Sequence, residues 1–516
     1  MPSGLTIVGL GPGRWESLTV EAAEILRAAP EVYVRTTVHP TFAPIADHLP
    51  DTQIRSFDAL YEESPTLGDV YEGIARELAR LARRPQGAVY AVPGSPSLGE
   101  SSVRLILDRI DVPTRLVQGI SHVEPVLEAV GASDLGWVEV IDAADMDFMS
   151  RESALGQVPG EGERLPFRTP VPTAPLIVSY LYDREIASGV KLWLSRFYPD
   201  GHLVRVVTGA GTSDCRIDDL PIYDLDRRAE IDHRTALFVP PLPEVENVRT
   251  FAGLMNLTRT LRAPEGCPWD REQTHTSLKP HLLEEAYEVI EALDAGDSEM
   301  LREELGDLLF QVAIHSQLAA EEGTFTIEDV IQGIMTKLIG RHPHVFDGLA
   351  LESAQDVRNA WETFKQKEKP KRASVLQDIP RGLPALPQSS LIQKRAASVG
   401  FEWPSTSEVL DKVEEELEEL RREVTEAAPK EREREEFGDI LFALVSVARH
   451  LKIEPEEALR LANRKFAARF QYVESRVSAE GKTLRDLTPT ELDKYWEEAK
   501  ALGVAPVGHE IPHLGR

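Results

Sequence analysis

Two stretches of this chain repeat one another at a nearly constant spacing, and that repeat limits what its second half can fold into. Glu285 and Glu416 stand 131 residues apart, as do Glu288 and Glu419. Glu304 and Glu436, like Asp307 and Asp439, stand 132 apart, and Trp361-Glu362 with Lys365 returns as Trp496-Glu497 with Lys500 at an offset of 135. A shared offset across several motifs marks internal duplication more strongly than any single match. From about Val248 onward apolar residues recur with the 3.6-residue helical period and strand signals are few, so the duplicated unit is expected to be all-α.

The repeated acids form a pattern. In the first copy Leu282–Ile290 reads as helix and sets Glu285 and Glu288 three residues apart, on one face. The breaker Asp294-Ala295-Gly296-Asp297 lets the chain reverse, and the helix Leu301–Phe310 then carries Glu304 and Asp307, again at i and i+3. If the two helices pack antiparallel, four carboxylates converge, and their mutual repulsion calls for a cation between them. Oxygen ligands without His or Cys suit Mg²⁺ or Mn²⁺, which keeps waters and completes its shell with substrate phosphates. The competing reading is a solvated charged face: Glu414-Glu415-Glu416-Leu417-Glu418-Glu419, followed by Arg421 and Arg422, is a pattern that exposed helices also carry. Recurrence favours the metal reading, as do the apolar runs Leu308-Leu309-Phe310 and Ile440-Leu441-Phe442 directly beside Asp307 and Asp439, where an unpaired acid is expensive. A di-iron bundle requires E-x-x-H pairs, and neither Glu304 nor Glu436 is followed by His at the third position.

The first half has a different grammar. Leu5–Leu10, Glu31–Arg35 and Gly87–Val92 read as strands, alternating with helical patterns over Thr19–Ala29 and Asp69–Ala82, which predicts an α/β layer with a largely parallel sheet. Met146–Pro175 reads as a long loop, and strands resume at Leu176–Tyr180 and Leu203–Thr208, so this part is expected to have two lobes and to end near Val239. Pro240, Pro241 and Pro243 form one joint; Lys367–Gln388, with Pro370, Pro380, Pro384, Pro387 and Gly382, forms another. The expected domains are therefore 1–239, 248–370 and 386–504, consistent with a 516-residue chain too long for one core.

With 57 basic against 86 acidic side chains, the formal charge of −29 argues against binding a nucleic acid polymer or an anionic membrane through the general field. It leaves room for a small anionic ligand held through cations. Two cysteines, Cys215 and Cys267, build neither a disulfide framework nor a Cys-rich zinc site. No basic leader with a long apolar stretch opens the chain and no apolar run approaches a membrane span, so the expected location is cytoplasmic.

At its acids the second half resembles the MazG family of nucleoside triphosphate pyrophosphohydrolases, all-α enzymes with E-E-x-x-E followed by E-x-x-D. The first copy matches at Glu284, Glu285, Glu288, Glu304 and Asp307, the second at Glu415, Glu416, Glu419, Glu436 and Asp439. Cys267-Pro268-Trp269-Asp270 with Gln273-Thr274-His275 resembles the family's leading segment, and Lys337–Phe346 its later basic motif, with Asn463–Phe466 and Arg469-Phe470 in that place in the second copy. The resemblance implies hydrolysis of NTPs or dNTPs between the α- and β-phosphates, with Mg²⁺ or Mn²⁺ on Glu285, Glu288, Glu304, Asp307, Glu416, Glu419, Glu436 and Asp439. It implies that Lys337, Arg341, Lys465 and Arg469 neutralise phosphate charge, and that Trp361 and Trp496 stand near the base; a helix-borne Trp is equally well read as core. Helical duplication suggests a homo-oligomer, a dimer.

Leu5–Gly13 reads as a strand entering a glycine turn, with Gly9, Gly11 and Gly13. Arg35 ends the second strand where a dinucleotide fold carries an acid, and Pro12 interrupts that motif's spacing. The stretch instead resembles the tetrapyrrole methylase family, and within it the YabN-like branch fused to MazG. Val92–Ser97, containing Gly94, Ser95 and Pro96, resembles its second loop; Gln118–His122, containing Ile120 and Ser121, its third; Gly209–Thr212 lies where the second lobe carries another turn. This implies S-adenosylmethionine as a cofactor of the first domain, although Ser95 stands where many members carry Asp. An alternative function is thus an S-adenosylmethionine-dependent methyltransferase with helical regulatory or dimerisation modules.

Overall fold

The computed structural model describes residues 4–38, 42–64, 67–109, 111–133, 135–143, 146, 169–228, 230–349, 353, 356–357, 374–426 and 429–504. Most of the 146–175 loop lies outside them, as do residues 367–373 of the 367–388 joint and Trp361. Contacts divide the chain into two compact units, Met1–Glu272 and Gln273–Arg516.

In the first unit β1 (Leu5–Gly9), β2 (Glu31–Val34), β3 (Gln53–Ser56), β4 (Ala88–Val92) and β5 (Thr114–Val117) form one sheet in the order β3-β2-β4-β1-β5. All its pairings are parallel. Leu5, Ile7, Tyr90 and Val92 pack into one core and Val8, Val89 and Ala91 into another, the period of two that buries both faces of a parallel sheet.

The second sheet departs from the parallel expectation. It contains β6 (Glu139–Asp142), β7 (Leu176–Ser179), β8 (Leu203–Thr208), β9 (Arg216–Pro221) and β10 (Thr235–Val239) in the order β6-β7-β10-β8-β9. Only β6 and β7 run parallel; β7/β10, β10/β8 and β8/β9 are antiparallel. The turn between Thr208 and Arg216 is too short for a crossover helix, so β8 and β9 can pair only as a hairpin. Trp193, Tyr198, Leu176, Val204 and Leu237 fill the core beside this sheet.

The second unit is helical. α1 (Lys279–Ala295) stops at Gly296, which adopts φ +65°, and Asp297 opens α2 (Ser298–Glu321) by accepting from the amides of Glu299 and Met300 at 3.0 and 3.1 Å. The Asp294–Asp297 breaker thus caps two helices within four residues. α3 (Ile327–Arg341) begins with a Thr326–Asp329 capping box. The second copy supplies α4 (Ala385–Ala397), α5 (Thr406–Thr425), α6 (Lys430–His450), α7 (Pro455–Ala479) and α8 (Pro489–Ala501). Asp294, at the end of α1, joins the copies by accepting from Arg460 at 2.9 Å and Arg464 at 2.7 Å on α7. Among the described residues this unit has one small buried apolar cluster, Leu278, Ile314 and Leu318, with Phe310 against it. Ile334, Met335, Leu338 and Ile339 on α3, and Leu417, Phe437, Leu441 and Phe442 on α5 and α6, stay exposed.

Candidate metal and ligand sites

The α1/α2 reversal brings the first set of acids together. Glu285, Glu288 and Glu304 each offer a carboxylate oxygen, all within 4.8 Å of one another. Glu416, Glu436 and Asp439 do the same where α5 meets α6. Asp307 falls outside the first set and Glu419 outside the second, although Asp307 lies close enough to Glu285 to act on its charge. The apolar runs beside Asp307 and Asp439 do not bury them: both aspartates are exposed, and so are Leu309, Leu441 and Phe442. Within one chain, then, desolvation is not what marks these two acids, and the premise taken from their neighbours in sequence does not hold.

Burial comes first in raising the Glu285 carboxyl above the usual range, followed by Asp307, Glu288 and Glu284. Burial and then Glu288, Glu303 and Asp307 raise Glu304; burial and then Glu419, Glu416 and Asp439 raise Glu436. A divalent ion would reverse these penalties, and a compact oxygen-only set fits a hard cation that retains waters.

One cation already sits in the second set. Lys412 Nζ lies 2.7 Å from Glu416 and 2.9 Å from Glu415, and both carboxylates hold its ammonium above the ordinary lysine value. Its place four residues before Glu416 was readable from the sequence as an i,i+4 pair.

The expected phosphate and base contacts are less gathered. Lys337 and Lys465 are exposed, Arg341 is half-buried, and Arg469 Nε donates to the Val504 carbonyl at 3.3 Å. Trp496 packs on Phe466 with ring centroids 4.9 Å apart, and Phe466 on Phe470 at 6.0 Å. A second cluster, which sequence reasoning passed over, is the stacked pair His275 and His315, whose Nδ1 atoms are 2.8 Å apart.

The first unit carries a cleft of about 650 Å³ lined by residues of both its lobes, among them Gly11, Pro12, Gly94 and His122, with Tyr180, Gly209, Ala210 and Thr212 from the second. The turns after β1 and β4 exchange two backbone hydrogen bonds, Gly11 to Gly94 at 3.1 Å and Gly94 to Gly11 at 2.9 Å. They follow the carboxyl ends of adjacent parallel strands, where open α/β sheets receive ligands. The glycines divide by purpose. A side chain on Gly9 would meet the backbone of Gly119 at 2.6 Å and of Gly94 at 2.7 Å, so Gly9 serves loop packing. Gly94, at φ +67° with nothing nearer than 4.0 Å, faces open space in the cleft wall, where a ligand can approach the backbone. A side chain on Gly13 would strike Thr212 at 2.8 Å.

Ser95 is buried and donates to Gln118 at 3.1 Å; Pro96 is buried beside it. Ser121 is buried, bonds to Glu124 and accepts from the Val123 amide at 3.0 Å, while Ile120 is exposed. Sequence reading also missed the ion pair in the cleft wall. Arg35 Nη1 meets Glu100 at 2.7 Å, and Glu100 accepts from Ser102 at 2.7 Å. Burial opposes the Arg35 charge, yet Glu100 keeps the guanidinium fully protonated. Burial pushes the nearby Tyr61 hydroxyl up to about 12.

A methylase-type α/β unit followed by a doubled acidic helical unit is the class that this architecture defines. Sequence profiles agree: residues 4–226 match the tetrapyrrole (corrin/porphyrin) methylases and residues 273–346 the MazG nucleotide pyrophosphohydrolase domain. The chain is 39% identical over 505 residues to the uncharacterized protein YabN of Bacillus subtilis, covering 97% of this chain and 99% of that one. Its second half is 47% identical over 251 residues to the nucleoside triphosphate pyrophosphohydrolase/pyrophosphatase MazG of Thermotoga maritima, 48% of this chain and 95% of the relative. The Escherichia coli K12 nucleoside triphosphate pyrophosphohydrolase follows at 45% over the same length. Among solved structures, uroporphyrin-III-C-methyltransferase from Thermus thermophilus aligns with 49% of this chain and all of its own at 18% identity and a TM-score of 0.34. The chain belongs to the YabN-like family, in which a tetrapyrrole methylase domain is joined to a MazG enzyme region of the hydrolase class.

Proposed function

We propose that the helical unit hydrolyses nucleoside triphosphates to nucleoside monophosphate and pyrophosphate, with Mg²⁺ or Mn²⁺ required, and that it clears unwanted NTPs and dNTPs from the nucleotide pool. The observation that carries this reading is the pair of carboxylate sets, three oxygens within 4.8 Å in each copy. Relatives named as nucleoside triphosphate pyrophosphohydrolases extend over both copies and support it. Water attacks the α-phosphorus, the bond from that phosphorus to the bridging oxygen breaks, and pyrophosphate leaves. A divalent ion, when bound, would neutralise the triphosphate and lower the pKa of the attacking water.

The chain's own work is positional. Glu285, Glu288, Glu304 and Asp307, with Glu416, Glu419, Glu436 and Asp439, would hold the ion. Lys337, Arg341, Lys465 and Arg469 would meet phosphate oxygens. Trp496, presented by α8 against Phe466, would offer a face to the base.

Pyrophosphate release from a panel of NTPs and dNTPs with magnesium tests the reading. Asp307→Asn and Asp439→Asn are compared separately with wild type, and at least one is expected to lose roughly 100-fold in kcat. Unchanged rates in both would remove the metal assignment.

The exposed apolar faces of α3, α5 and α6 support a homodimer, which sedimentation would register. No helix among the described residues is long and apolar enough to cross a membrane, and a small nucleotide partner in a cytoplasmic setting fits this reading. A second activity is favoured by the glycine-walled cleft: S-adenosylmethionine bound in the first unit, donating a methyl group to a tetrapyrrole or another acceptor. Transfer of label from the tritiated cofactor tests it.

A further inference from the structure

Four residues before the leading glutamate of each acidic set the two copies carry different side chains. Residue 412 in the second copy is Lys; its counterpart 131 residues earlier, the offset that relates Glu285 to Glu416, is His281. Lys412 Nζ is 2.7 Å from Glu416 and 2.9 Å from Glu415. His281 lies 3.5 Å from Glu284, and among the described residues no ion pair within 4.0 Å engages Glu285, Glu288 or Glu304. We propose that Lys412 is a resident counter-ion of the second copy, so that in the absence of nucleotide a free divalent ion fills the first copy before the second. This rests on reading both acid sets as divalent-ion sites.

Glu416 is 7% exposed, so its carboxylate has lost most of its water and is compensated by the ammonium instead. A lysine placed four residues before a glutamate is the less favourable order for a helical pair. The contact is therefore held by the burial of Glu416 and by the second carboxylate, Glu415, more than by helix geometry. An ion seated on Glu416, Glu436 and Asp439 must either displace that ammonium or sit a few ångströms from a like charge where water screens poorly. The four-carbon stem of lysine lets it swing away, so the second site is weakened and not closed. Among the described residues the first set carries no such competitor, and its three like-charged oxygens lie within 4.8 Å of one another.

Mn²⁺ titration of the full chain without nucleotide, followed by the electron paramagnetic resonance of the free ion, decides the matter. Wild type is expected to show two classes of site that differ roughly tenfold. Glu304→Gln removes the tight class. Lys412→Gln tightens the weak class by about tenfold, Lys412→Arg preserves the wild-type pattern, and His281→Lys weakens the tight class, the last guarding against a folding defect at 412. One class of equal sites in wild type, or a weak class indifferent to Lys412→Gln, overturns the role of Lys412 while leaving the ion sites standing. No bound Mn²⁺ at all in wild type overturns the ion sites themselves.

Discussion

The first and second acidic helix pairs share a register of glutamates and differ in how their charge is met. In the first, Glu285, Glu288 and Glu304 face one another, and burial, followed by the repulsion of neighbouring acids, raises the carboxyl pKa values of Glu285 and Glu304. In the second, the most buried member, Glu416, is paired with Lys412, and a neighbouring acid, Glu423, is paired with Arg432 at 3.1 Å. Duplication copied the acids, and the surrounding cations diverged. A site whose neutralising charge is built in needs less from solution than one that waits for an ion.

The sharpest test of that difference is catalytic. Glu304→Gln and Glu436→Gln are isosteric and each removes one oxygen charge from one set; the variant in the copy that turns over is expected to lose roughly 100-fold in kcat. Equal small losses in both, measured by pyrophosphate release, would mean that neither set is the reaction centre.

Next in size is the joint between copies. Asp294→Ala removes the acceptor shared by Arg460 and Arg464, all three partly buried, and is expected to cost about 2 kcal/mol, read as a lower Tm of the helical unit. An unchanged melting curve would show that the copies do not depend on this contact.

The smallest effect is in pH. Glu285, Glu304 and Glu436 have raised pKa values, so the folded state binds more protons than the unfolded one, and stability falls as pH rises through the folded values. In chelator, lowering the pH from neutral therefore stabilises the helical unit. Glu402 behaves in the opposite sense: Arg449 and His450 hold its carboxyl down to about 2, so its contribution is complete above the unfolded value and is lost as pH falls from about 4.3 towards 2. Glu402→Gln should cost about 1 kcal/mol at pH 7 and almost nothing at pH 2, and the rise on mild acidification should vanish when divalent ion is present. Thermal melts across pH, with and without Mn²⁺, register both trends.

Local signals in the sequence were reliable where the chain decides its own structure. Thr19 caps the helix Val20–Ala28, accepting from Ala22, and the Asp294–Asp297 breaker ends one helix and starts the next, because caps and left-handed glycines act within a few residues. Leu203–Thr208 was readable as a strand from its β-branched run. Its antiparallel partners were not, since a strand's direction relative to its neighbour depends on which distant segment completes the sheet. The Arg35–Glu100 pair escaped notice for the same reason: 65 residues separate the partners. The exposure of Asp307 and Asp439 shows the limit of inferring burial from apolar neighbours, because a helix sends successive side chains in different directions.

By itself the sequence determined the doubling of the helical unit, the acids that mark each copy, the strand and glycine-turn grammar of the first unit and the resemblance to two families. These are encoded in spacing along one chain, and spacing survives without coordinates. Only the tertiary structure decided that three acids in each copy, not four, share a space within 4.8 Å, that Lys412 closes on Glu416, and that Gly94 faces a cleft while Gly9 packs a loop. Those outcomes depend on where helices and turns remote in sequence come to rest against each other, and electrostatic and steric energies change over ångströms that no residue count can resolve.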